Sequence, residues 1–175
     1  RFDFSFNRAM SFDEVARVES LVNERIDANL AVHAEEAPVA AAKSIRGLRA
    51  VFGERYPDPV RVVSIGPSVR ELLGRPDSEL GRTHSVEFCG GTHLSQTGDA
   101  KRFAFLAEGG LAAGTRRMTG VTGGAALAAE ATASELLRRA RAAAAMDDAA
   151  FATEWTELSK LVDQLTVSAV QKAAI

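Results

Sequence analysis

Apolar and polar positions alternate at the start of the chain. Phe2, Phe4 and Phe6 fall on one face and Asp3 and Ser5 on the other. A period of two marks a strand with one buried side, so Arg1–Phe6 is predicted as a half-buried strand with its three phenylalanines in the core. The period then lengthens. Phe12, Val15, Val18, Val22 and Ile26 recur every three or four residues, the spacing of one helical face. Ser11 and Glu14 have the capping-box spacing that satisfies free N–H groups at a helix start. Leu30–Glu36 reads as a strand. Pro38 suits a first helical turn, Val39–Ile45 a short helix, and Gly47 the residue after its C-cap. Tyr56-Pro57-Asp58-Pro59 is a turn. The β-branched run Val60–Ile65 is a strand closed by Gly66-Pro67, Val69–Leu73 a helical turn, and polar Arg75–Arg82 a surface loop. Ser85–Cys89 and Lys101–Glu108 are strands, Gly109-Gly110 turns the chain, and Gly114–Val121 is the last strand.

After Gly123-Gly124 the pattern changes. Ala125–Ala145 is dominated by alanine, the strongest helix former. Arg138, Arg139 and Arg141 lie near its end, where cations suit the helix dipole. Asp147 and Asp148 suit the start of a second helix, along which Phe151, Trp155, Leu158, Val162, Leu165 and Ala169 step by three or four. Strands interleaved with helices predict an α+β fold: a mixed or antiparallel sheet with helices packed on one side, followed by a C-terminal helical hairpin or coiled-coil segment. The composition shift places a boundary near residue 124, giving segments 1–123 and 124–175.

Composition narrows the class. The 175 residues are 46% hydrophobic and 25% charged, with a net charge of −2. These are values of a globular chain with no overall basic signature of nucleic-acid binding, so any such contact uses local patches. One cysteine excludes an internal disulfide and fits a reducing compartment. No apolar run approaches the ~20 residues that cross a bilayer. The chain opens at Arg1 within a strand-like run and reads as a piece of a longer polypeptide.

The stretch Val86-Glu87-Phe88-Cys89-Gly90-Gly91-Thr92-His93 holds the single cysteine and one of three histidines. A thiol and an imidazole four residues apart could grip one face of a zinc ion, which takes four ligands or three plus water. A buried, inert cysteine is an equal alternative on the pair alone. His84 is five residues before Cys89, so on an extended strand it points to the opposite face and is left off the metal. His33 reads as a packed or surface histidine. Arg116 and Arg117 are neighbours in a strand and face opposite ways. One could meet a phosphate, or both could be surface and ion-paired.

VEFCGGTHL, then EGGLAAGTRRMTGVTG, with RFDFSFNRAM and GLRAVFGERYPDPVRVVSIG upstream in the same order, resemble the editing domain of alanyl-tRNA synthetases from Arg1 to about Gly123. The resemblance implies an α+β editing fold over 1–123 and a helical extension over 124–175. It implies a parent alanine–tRNA ligase whose editing site hydrolyses mischarged Ser-tRNA(Ala) or Gly-tRNA(Ala) with zinc. Cys89 and His93 match the family's Cys-x-x-x-His ligand pair. The family's first pair, an upstream His-x-x-x-His, is absent here, so two of four ligands are present. Gly90, Gly91, Thr92, Arg116 and Arg117 are candidate substrate-binding residues, and no residue is assigned as general base. ATP and magnesium belong to an aminoacylation domain absent from this chain. The implied partner is the acceptor end of tRNA(Ala), with no membrane, and an oligomer through helix 151–170 is an option. The implied location is the cytoplasm, with mitochondrion or plastid as alternatives. The competing readings are a non-catalytic tRNA-binding or scaffold module, a free-standing trans-editing deacylase, and a threonyl-type editing domain.

Overall fold

The computed structural model describes residues 1–51 and 53–172. Strands β1 (Phe2–Ser5), β2 (Val32–Ala37), β3 (Val60–Ile65), β4 (Val86–Phe88), β5 (Phe103–Ala112) and β6 (Thr115–Thr122) are joined by helices α1 (Phe12–Asp27) after β1, α2 (Val39–Lys43) after β2, and α3 (Val69–Gly74) and α4 (Leu80–Thr83) after β3. Helices α5 (Gly123–Ala143), α6 (Asp148–Gln164) and α7 (Ala169–Lys172) close the chain. The fold is α+β with two antiparallel three-stranded sheets, ordered β1-β6-β5 and β2-β3-β4. The chain forms two compact units, one from Arg1–Glu24 with Ala100–Ile175 and one from Arg25–Asp99. Among the described residues no helix is long and apolar enough to cross a membrane.

In the first unit β1 pairs with β6 in the register Phe2↔Met118, so one edge is joined to residues more than a hundred positions away. Val15 of α1 packs on Phe105 and Met118, with Phe4, Met10, Val18, Phe103, Ala169 and Val170 around them. Phe2 is 69% exposed and stacks on Phe4, so only part of the predicted aromatic face is core. The buried face of α1 also differs from the apolar stripe, because Phe12 is exposed while Glu19 and Asn23 are buried. The reason is the free edge of β5. Asn23 donates to the Phe103 carbonyl and accepts from the Phe103 N–H, both at 2.9 Å. Glu19 accepts from the Phe105 N–H at 2.7 Å. Two helix side chains thus replace a missing neighbour strand, one of the ways a sheet edge is covered. Burial pushes the Glu19 carboxyl above its ordinary range, and the Phe105 hydrogen bond opposes that shift.

The turn predicted at Gly109-Gly110 lies later. β5 runs through both glycines to Ala112 and reverses at Gly114, which has φ +71°. The Phe103 ring lies over Gly120, where a Cβ would overlap it. The α5–α6 hairpin packs through Ala133, Leu136 and Leu158. The Arg139 guanidinium spans it to Glu154 and Glu157 at 2.7 and 3.4 Å. Asp147 caps α6 by accepting from the N–H groups of Ala149 and Ala150. The second helix stops at Gln164, short of its predicted stripe. Leu165 is exposed and Val167 is buried with the hairpin core.

In the second unit Val60, Val62 and Val86 of the sheet pack with Ala42, Ile45, Val69 and Leu72, so α2 and α3 cover one face. The predicted surface loop 75–82 is instead tied in. It ends in α4, and Gly81 is buried. A Cβ on Gly47 (φ +91°) would land on the Gly81 carbonyl, and one on Gly81 would land on the Arg46 carbonyl. Backbone lies on backbone here, so glycine is needed on both segments. The first N–H of α2, on Val39, reaches the carboxylate of Asp58 at 3.0 Å, which supplies the cap that Pro38 lacks.

Candidate functional site

Cys89 leaves the end of β4 half-buried and free. Gly90, Gly91, Thr92, His93 and Leu94 follow it, all exposed and without regular structure. Both ends of this loop are fixed. At the near end the Cys89 N–H donates to the Arg61 carbonyl at 3.4 Å. The same arginine donates through Nη1 to the carbonyls of Cys89 and Gly91, each at 2.7 Å. At the far end the Ser95 carbonyl accepts from the Val32 N–H at 2.9 Å, and Gln96 bridges Ala31. The Thr97 hydroxyl then donates to the Arg25 carbonyl at 2.6 Å and accepts from the Leu30 N–H at 2.8 Å. Asn29, in the left-handed region at φ +47°, accepts from the Gly98 N–H.

The two glycines are not required by what surrounds them. Neither has left-handed backbone. A Cβ on Gly90 would meet nothing within 4 Å, and one on Gly91 would sit at an ordinary 3.6 Å from Cys89 Sγ. Beside the loop lies a concavity of about 240 Å³ lined by Tyr56, Pro57, Arg61, Phe88, Cys89 and Gly90. Its aromatic wall is the edge-to-face pair Tyr56–Phe88 at 4.7 Å. The Tyr56 hydroxyl accepts from the Val51 N–H at 2.8 Å.

Thiolate and imidazole are zinc donors, but a site needs at least three protein ligands. Among the described residues no group of three or more His, Cys, Asp or Glu side chains is placed to hold a metal ion. Cys89 and His93 therefore do not make a complete zinc site from this chain's described residues. His84 serves the fold: its Nδ1 lies 3.1 Å from the Leu80 carbonyl and its ring covers Gly66 (φ +100°).

Arg116 and Arg117 belong to the first unit, and each is held by a carboxylate. Arg117 makes a two-pronged pair with Asp3, both bonds at 2.7 Å, directly across the β1–β6 ladder. Arg116 grips Glu108 at 2.5 and 2.7 Å across Gly110, whose missing side chain leaves room for the guanidinium. The paired guanidinium holds the Glu108 carboxyl below its ordinary range, and Arg117 does the same to Asp3. Arg61 was not singled out from the sequence. The signal was there, since it is the one charge within Val60–Ile65.

Residues 60–119 match the family profile described as the threonyl and alanyl tRNA synthetase second additional domain. The chain is 46% identical over 176 residues to the mitochondrial alanine–tRNA ligase of Saccharomyces cerevisiae, a match covering 98% of this chain. The chain belongs to the alanine–tRNA ligase family. The cytoplasmic alanine–tRNA ligase of Dictyostelium discoideum is 46% identical over 97% of the chain. That of Drosophila melanogaster is 41% identical over 98%. The chain spans 18–19% of the length of these relatives. The stretch matched to the family profile runs from β3 into β6 and includes Arg61, the whole Cys89–His93 loop, Arg116 and Arg117.

Proposed function

We propose that the chain is part of the editing domain of an alanine–tRNA ligase. The domain hydrolyses Ser-tRNA(Ala) or Gly-tRNA(Ala), and Cys89 and His93 contribute to a zinc site completed by ligands outside the described residues. The observation that carries this reading is the Cys89–His93 loop: exposed, anchored at both ends and inside the family match. The chemical need is general, because a pocket built for a methyl side chain rejects an added hydroxyl poorly, and a second site must remove the error. Gly90 and Gly91 support the reading further. The fold tolerates a Cβ at both positions, so their value lies in letting a substrate approach the backbone. Thr92 stands beside them, exposed. Zinc, when bound, supplies Lewis-acid or positioning chemistry at the ester, while this chain's residues hold and orient. Arg116 and Arg117 retain exposed edges for the tRNA but act first as ion-pair partners within their sheet.

The test is zinc content and Ser-tRNA(Ala) hydrolysis by the full-length parent protein, with Cys89→Ala and His93→Ala. Loss of zinc and of hydrolysis in both variants, with aminoacylation retained, is expected. Unchanged hydrolysis in either overturns the reading and leaves the non-catalytic tRNA-binding module. The location follows the relatives, which include mitochondrial and cytoplasmic ligases. The stacked and exposed Phe151–Trp155 pair on α6 supports a helix-mediated contact through 151–170. Trp155→Glu should weaken any self-association seen by sedimentation.

A further inference from the structure

We propose that Arg61 is the positioning residue of the Cys89–His93 loop. This rests on the editing reading for its functional meaning, but not for its physical content. Five exposed residues, two of them glycine, follow Cys89, and such a segment has many backbone states open to it. Between Cys89 and the anchor at Ser95, the described side chains provide one hydrogen-bonding constraint: the Arg61 Nη1, which takes the Cys89 and Gly91 carbonyls together at 2.7 Å.

Three features make this more than a surface arginine. First, Arg61 has no carboxylate within ion-pairing distance among the described residues, although Glu54 lines the same concavity. Arg116, Arg117, Arg138 and Arg139 are all paired with acids. Second, Arg61 is mounted on β3, which is paired on both sides, to β2 and to β4. The guanidinium therefore starts from a rigid base, and its planar fork has fixed donor directions. Third, hydrogen bonds from a charged donor are about twice as strong as neutral ones, and these two bracket Gly90. Fixing the carbonyls before and after Gly90 fixes the direction in which Cys89 leaves the sheet and limits the paths by which the chain reaches His93. A loop held in this way keeps the backbone from Cys89 to Gly91 close to one geometry before any ligand binds.

Cys89 is the single cysteine of the chain, so its alkylation rate reports on this loop alone. The experiment compares the chain with Arg61→Ala and Arg61→Lys. It measures the pseudo-first-order reaction with iodoacetamide and the amide ¹H–¹⁵N shifts of Gly90, Gly91 and Thr92, with far-UV circular dichroism confirming the fold. In Arg61→Ala the rate should rise at least threefold and the three shifts should move. In Arg61→Lys, which keeps a charged donor, most of both changes should be reversed. Equal rates and shifts in the alanine variant overturn the proposal, as do shift changes confined to residues outside 89–93. If the alanine variant does not fold, Arg61→Met, which keeps a long side chain but no donor, is read by the same two outcomes. A second arm uses the full-length parent: kcat for Ser-tRNA(Ala) hydrolysis should fall at least tenfold with KM within twofold. A changed thiol rate with unchanged hydrolysis supports the anchoring and refutes the editing role, so the two ideas fail separately.

Discussion

Asn23→Ala removes an amide that stands in for part of a β-strand. The side chain is only 6% exposed and makes a paired contact with the backbone of Phe103, plus a third bond from its Nδ2 to the Glu19 carbonyl at 3.1 Å. Alanine leaves the Phe103 N–H and C=O without a partner on a half-buried edge. Each such group costs about 1–3 kcal/mol when buried, and partial access to water brings the pair to about 2–4 kcal/mol. Alanine recovers roughly 0.5 kcal/mol through better helix propensity. The net expected loss is about 1.5–3.5 kcal/mol, or a fall of roughly 1–2 M in urea midpoint at a typical m-value. Hydrogen exchange at the Phe103 amide gives the local readout, and its protection should fall more than that of Val62 in the other sheet. Arg17→Ala, at an exposed position of the same helix, is the control and should stay within about 0.5 kcal/mol. A loss below about 0.5 kcal/mol for Asn23→Ala, with Phe103 still protected, would refute the edge-capping account.

The other predictions draw on the same structure. Glu19 has a raised carboxyl pKa, so it lowers stability as pH climbs from about 4.5 through its folded value. Glu19→Gln should therefore gain on the wild type between pH 4 and pH 7 in urea titrations, and a constant difference would count against it. Glu14 is lowered to about 2, first by the Arg8 guanidinium and then by the Ser11 N–H. Its contribution is present above pH 4.5 and is lost as pH falls toward 2; Glu14→Gln should flatten that acid limb. Gly47→Ala combines left-handed strain with backbone overlap at Gly81 and should cost more than ~2 kcal/mol. Gly53→Ala (φ +79°, with open space around it) should cost about 1 kcal/mol by thermal melting. Gly90→Ala should leave the melting temperature of the chain unchanged, and in the full-length parent it should still lower Ser-tRNA(Ala) hydrolysis; full activity would show that nothing approaches that backbone.

Local signals were the readable ones. The Ser11–Glu14 capping box is present in both directions. Asp147 caps α6, and the β-branched run at 60–65 is the central strand of its sheet. What stayed hidden depends on contacts distant in sequence. Glu19 and Asn23 look like part of a solvated helix face until β5, about eighty residues on, arrives with an unpaired edge. Gly47 and Gly81 each look like ordinary turn glycines until their backbones are seen to touch. Gly109-Gly110 has turn chemistry, yet the ladder with β6 continues through it, with the Arg116 guanidinium lying over Gly110. At the candidate site, the glycines and the Cys-x-x-x-His spacing were visible, and the guanidinium that holds them came from a strand read only for its valines.

The pairing of β1 with β6 also sets an order of events during synthesis. Phe2 emerges from the ribosome more than a hundred residues ahead of its partner Met118, a wait of roughly 6–20 s at ~5–20 residues per second. Every strand of the β2-β3-β4 sheet lies within Arg25–Asp99, so that unit can close before β6 has been made. During this interval β1, with its row of phenylalanines, lacks its β6 partner. Asp3 is the one charge within it, and Asp3 later meets Arg117 across the finished ladder.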